Sequence, residues 1–226
     1  MKKICLIIFV NSSLFINVYS QLKDTTMIER FNYSAVEALS PQRTLLQEGE
    51  WLIGISYTKD TKTGYQREIA PARYFYIISK VYHPNGIINS YTKVLGRVAF
   101  GERKFYDDTG KLIKVIDEDA KFGKVKPDDF VAILEKIGWI NRETGENIVT
   151  KEPLKTDGSF TINLHRLIEI YFFPAEYDKE GKEIKPPFWQ ASYTSEYLHN
   201  NIRYYCYVDG NTGEYRLEEQ PFYVIP

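Results

Sequence analysis

FYDDTGKLIKV, residues Phe105–Val115, reads as a β-hairpin: two short β-prone runs flank a turn in which Asp107, Asp108 and Thr109 lead into Gly110. Gly enters the positive-φ region without a Cβ clash, and Asp can hydrogen-bond the backbone ahead of it, so this order of residues closes a tight turn. The same grammar recurs at Tyr82–Gly86 (YHPNG), Asn141–Gly145 (NRETG), Tyr177–Gly181 (YDKEG) and Asp209–Gly213 (DGNTG), and more loosely at Lys59–Gly64 (KDTKTG). A chain punctuated in this way predicts an α+β fold that is predominantly antiparallel hairpins or a meander.

Outward from that hairpin, Trp51, Ile53, Ile55 and Tyr57 alternate with Leu52, Gly54 and Ser56, the period of a half-buried strand, with a return strand near Tyr65–Ile69. Ala72–Tyr82 (ARYFYIISKVY) is apolar and β-branched enough for a central strand. One packed helix is predicted near Pro127–Ile137. Pro127 suits the first helical position, Asp128 and Asp129 complement the positive end of the dipole, and Phe130, Ile133, Leu134 and Ile137 form one stripe before Gly138. Within Gln21–Pro41, Ile28, Phe31, Ala35 and Leu39 fall at helical spacing and predict a second helix, although Asn32-Tyr33-Ser34 is a poor helix interior. Strand-like content returns at Trp139–Val149, Phe160–Phe173 and Phe188–Thr194, with a solvated turn inside Glu176–Pro187. A final hairpin is expected from Ile202–Val208 and Glu214–Glu219.

Two stretches resemble known families. Tyr82–Ile88 and Phe105–Ile113 are similar to the variant MORN repeats of many exported bacterial proteins, over about two repeats between Tyr74 and Val115. That resemblance implies a repetitive antiparallel sheet and binding rather than catalysis. The interval departs from a close array, since Gly86 and Gly110 stand 24 residues apart with Gly96–Gly101 between them. The tail YVDGNTGE, Tyr207–Glu214, resembles the end of PepSY-type domains, in which a helix precedes closing antiparallel strands. It implies extracytoplasmic association with another protein, sometimes a peptidase.

Lys2 and Lys3, the apolar run Ile4–Val10 continued by Leu14–Val18, and Val18-Tyr19-Ser20 before Gln21 read as a bacterial signal peptide over residues 1–20. Asn11, Ser12, Ser13 and Asn17 interrupt a segment already short for a membrane anchor, which needs roughly 20 apolar residues. The expected location is periplasmic or extracellular, with no transmembrane segment in the mature chain. Residues 21–125 then form a hairpin region and 126–226 a helix-plus-sheet region, open to being one continuous domain. Removing two of the 29 basic residues with the signal leaves 27 against 30 acidic ones, a formal charge of −3 that argues against a nucleic-acid partner. Cys206 alone survives processing, so no intrachain disulfide can form; a buried small hydrophobe is its expected role.

No cluster specifies a reaction. G-x-S-x-G, H-E-x-x-H, P-loop and paired-Cys motifs are all missing, and His83, His165 and His199 include no close pair for zinc. Asp209, Asn211 and Gly213 begin like a calcium loop, but Gln220 stands where a bidentate Glu is wanted. No cofactor, metal or catalytic residue is therefore assigned. The conspicuous excess is aromatic, 18 Tyr, 13 Phe and 3 Trp, of which Tyr204, Tyr205 and Tyr207 on one strand cannot all face a single core. They are the candidate binding residues. The expected function is an exported, non-catalytic binding module for a macromolecular partner, protein or peptidoglycan-associated. The alternatives are a secreted hydrolase with a site assembled from distant residues, or a modulator of a secreted peptidase.

Overall fold

Asp107 shows how this chain turns corners. Its carboxylate accepts hydrogen bonds from Thr109 N at 2.9 Å, Thr109 Oγ1 at 2.6 Å and Lys111 N at 3.0 Å, and Gly110 takes φ +88°. Asn141, Asp178 and Asp209 cap their turns in the same way, with Gly145, Gly181 and Gly213 at positive φ. In the computed structural model, which describes residues 28–33, 43–48, 50–58, 60–69, 75–149, 168–194 and 202–221, these turns build a mainly antiparallel β structure.

The first sheet has seven strands in chain order: β1 (Arg43–Glu48), β2 (Trp51–Thr58), β3 (Thr63–Ile69), β4 (Ile77–Tyr82), β5 (Ile88–Leu95), β6 (Val98–Tyr106) and β7 (Leu112–Asp117), each antiparallel to the next. The 24-residue interval that looked irregular is the period of this meander. Gly86 and Gly110 are separated by one strand pair, and a third positive-φ residue, Lys62 at φ +47°, lies 24 residues before Gly86. All three sit in turns at the same end of the sheet. Gly64, expected to supply that first turn's flexibility, lies instead within β3.

The segment Ile28–Tyr33 straps those turns together. Ile28–Asn32 is not helical; Arg30 bridges Ile87, Phe31 N donates to Gly86 O at 2.6 Å and Ile88 N donates to Glu29 O at 3.1 Å. Ala35 and Leu39 of the expected helix lie outside the described residues. The helical spacing misleads because Phe31 enters a small core with Ile53, Ile55, Tyr82 and Ile88 that belongs to distant strands. A Cβ at Gly64 would stand 2.8 Å from the Phe31 ring, and one at Gly110 would stand 2.7 Å from Ile28 Cγ2, so both glycines are places where the strap lies on bare backbone. The Tyr33 hydroxyl lies 2.7 Å from Lys62 O and 2.8 Å from His83 O, which share its one proton, and it accepts from Gly64 N at 3.1 Å.

Beyond β7, a 3-10 turn over Glu118–Lys121 leads into the helix α1 (Pro127–Lys136), which ends with Gly138 at φ +79° as the sequence predicts. The second sheet follows: β8 (Glu169–Phe173), an exposed ribbon of β9 (Glu176–Tyr177) and β10 (Glu183–Lys185), then β11 (Phe188–Thr194), β12 (Ile202–Asp209) and β13 (Tyr215–Pro221). The four long strands pair in the order β13-β12-β11-β8. Two expectations need correction. Trp139–Val149 forms a turn closed by the single bridge Ile140–Asn147 rather than a hairpin, and β4 begins at Ile77 because Phe75 takes φ +56°, which no strand tolerates.

The main core lies between α1 and one face of the second sheet. Trp189, fully buried, stacks on Phe130 at 4.8 Å and Phe122 at 5.0 Å, and its indole N–H donates to Val125 O at 3.0 Å, which satisfies the one polar atom a buried Trp carries. Leu95 and Val98 of the first sheet join the same core.

Candidate functional site

Strand alternation divides β12 into two faces. Tyr204, Cys206 and Val208 point inward: Cys206 and Val208 are fully buried and Tyr204 stacks on Tyr193 at 5.0 Å, packed against the main core. Burial pushes the Cys206 thiol up to about 12, so it stays protonated and unreactive at neutral pH. Arg203, Tyr205 and Tyr207 point the other way. Of the three tyrosines singled out by the sequence, the outer face holds two, and Tyr204 belongs to the core side.

Register places further aromatics beside them. Gln190 on β11 lies directly between Tyr171 on β8 and Tyr207 on β12, and Ser192 lies between Glu169 and Tyr205. Phe188 is opposite Phe173. Directly opposed residues share a face, so Tyr171, Phe173, Phe188, Tyr207 and Tyr205 form one surface. Its rings are in contact: Phe173 stacks on Phe188 at 4.5 Å, Phe188 meets Tyr207 at 6.4 Å, Tyr207 lies parallel to Tyr205 at 5.8 Å, and Tyr171 is 6.4 Å from Phe173. The path is a U around Gln190 and Ser192. Phe173 is 38% exposed, a high value for a Phe, and the other four rings are half-buried.

Cations border the rings, and each has an acid beside it. The Arg216 guanidinium lies 4.7 Å from the Tyr207 ring and 3.3 Å from Glu218; Arg97 lies 5.3 Å from the Tyr171 ring and 3.8 Å from Glu169. Lys185 sits 5.2 Å from the Phe188 ring and 3.1 Å from Glu176. Arg203, 5.6 Å from the Tyr205 ring, pairs with Glu169 and donates to Ser192 Oγ at 3.1 Å. Burial, the Glu218 carboxylate and the neighbouring Tyr205 raise the Tyr207 phenol above its ordinary range, against the lowering influence of Arg216, so it is a neutral hydroxyl at physiological pH.

The other concentration of polar groups holds the strap. Lys80, 4% exposed at its side chain, pairs with Glu29 at 3.0 Å and with Glu68. Gln66 Nε2 donates to Glu68 Oε1 at 2.8 Å, and the Tyr82 hydroxyl donates to Glu29 Oε1 at 2.6 Å. Burial alone would lower the Lys80 pKa, but the two carboxylates outweigh it and the pKa is raised. These charges face one another across the strap and the sheet, a structural clamp.

Asp128 and Asp129 do not form a site; Asp129 accepts from Lys126 N at 3.0 Å at the start of α1. Asp209 spends its carboxylate on Asn211 N and Thr212 N, both at 2.8 Å. His83 Nε2 lies 2.9 Å from Tyr106 O, joining two neighbouring turns, while His165 and His199 lie outside the described residues. Among the described residues no three His, Cys, Asp or Glu side chains are grouped to hold a metal ion, and no helix is long and apolar enough to cross a membrane. Tyr171, Phe173 and Phe188 were not readable as site residues, because their common surface depends on the pairing of β8 with β11. Comparison with protein-family models, curated proteins and solved structures gives no match to this chain.

Proposed function

We propose that this protein is an exported, non-catalytic binding module that holds a macromolecular partner on the outer face of its second sheet. The observation that carries the reading is the unbroken five-ring surface of Tyr171, Phe173, Phe188, Tyr207 and Tyr205 on the face opposite the core. Aromatic rings on a paired sheet are stiff and large, so they give contact area at small entropic cost, and Tyr adds a polar tip. The resemblance of Tyr82–Ile88 and Phe105–Ile113 to MORN-like repeats, and of Tyr207–Glu214 to the end of PepSY-type domains, also points to a binding module. The signal-like residues 1–20 support an extracytoplasmic setting, where the mature chain would begin at Gln21.

The test is co-sedimentation of the mature chain with a bacterial cell-envelope fraction. Retention in the pellet that is lost in Tyr207→Ala, with an unchanged far-UV spectrum, is the expected result. Retention indifferent to Tyr207→Ala, or none at all, contradicts the proposal.

A further inference from the structure

We infer that the aromatic face takes a neutral, hydroxyl-rich glycan chain; this rests on the binding reading above and names its partner class. Charge is the first argument. Arg97, Lys185, Arg203 and Arg216 border the rings, but Glu176 and Glu218 each stand against one of them and Glu169 is shared by Arg97 and Arg203, so these groups leave a single positive charge over and no basic stripe. A polyanion or an acidic peptide would have to displace these carboxylates, whereas an uncharged ligand leaves every pair in place.

Shape is the second argument. Tyr171 and Tyr207 stand on either side of Gln190, on strands two sheet spacings apart, about 9.6 Å. Phe173 and Phe188 stack at one end of this face, and Glu169, Ser192 and Arg203 form a hydrogen-bonded group at the other. The C–H face of a pyranose carries weak positive charge and stacks on the negative face of an aromatic ring. Its equatorial hydroxyls point outward in the ring plane and need paired donors and acceptors, which an amide, a guanidinium and a carboxylate supply together. A sheet face that sets an amide between two aromatic strands answers both halves of a sugar's surface.

The experiment probes the mature chain on an array of neutral polysaccharides, then titrates it with chitohexaose and cellohexaose, using heparin as the anionic control. The expected result is binding to at least one neutral glycan that is insensitive to added salt and weakened about tenfold or more by Tyr207→Ala or Gln190→Ala. Failure of every neutral glycan, or tighter and salt-sensitive binding of heparin, overturns the inference. If envelope retention still depends on Tyr207 while the neutral glycans fail, the glycan assignment alone falls; if retention is indifferent to Tyr207, the binding reading falls with it.

Discussion

Tyr205 and Tyr207 lie with ring planes 8° apart and centroids 5.8 Å apart, on the side of β12 opposite the fully buried Cys206. One strand therefore serves two surfaces, a core and a half-buried aromatic face on the other side. Tyr204 goes to the first, and Tyr205 and Tyr207 go to the second.

The strap gives the sharpest stability prediction. Phe31→Ala removes the ring that seals the small core of the first sheet and should cost about 3 kcal/mol. Hydrogen exchange should speed up in the turns around Lys62 and Gly86 more than in β11 and β12. Uniform loss of protection across both sheets would show that the strap is not a local clamp.

Glycine substitutions test the turns. Gly110→Ala puts a Cβ at φ +88° and against Ile28, so destabilisation of about 1–2 kcal/mol is expected. Lys62→Gly works in the opposite direction: it relieves a left-handed Lys, and after the added unfolded-state entropy a gain of about 0.5 kcal/mol should remain. Denaturant midpoints measure both, and a stabilised Gly110→Ala would refute the turn assignment.

Lys80 predicts a pH dependence with a definite sign. Its folded pKa is raised, so its contribution is fully present below the unfolded value of about 10.4 and disappears as pH rises through the folded value. Unfolding free energy should fall above about pH 10. Glu29→Gln, which removes one carboxylate, should flatten that fall while costing about 1–2 kcal/mol at neutral pH. An alkaline slope identical in the variant would mean that the clamp does not hold Lys80.

The hairpins were legible because their causes are local. Asp107 and Gly110 hold everything their turn needs within five residues, and Pro127, Phe130, Leu134 and Gly138 do the same for α1. The third member of the 24-residue series was hidden because Lys62 stands where Gly is expected. The strap was misread because Phe31 and Glu29 are fixed by Tyr82 and Lys80, about 50 residues away, and no periodicity in Ile28–Leu39 records that. The site was half legible. Alternation along β12 showed that Tyr204 and Tyr205 must part company, but Tyr171 and Phe188 join Tyr207 only through strand register, a non-local property.

Comparing Tyr204→Ala with the double variant Tyr205→Ala/Tyr207→Ala, in both melting temperature and envelope co-sedimentation, tests the central claim most directly. Tyr204→Ala should lower the melting temperature by opening a gap beside Tyr193 while the folded fraction still binds. The double variant should lose about 1 kcal/mol of stability or less per site and at least tenfold in retention. Retention lost in Tyr204→Ala and kept in the double variant would contradict the account.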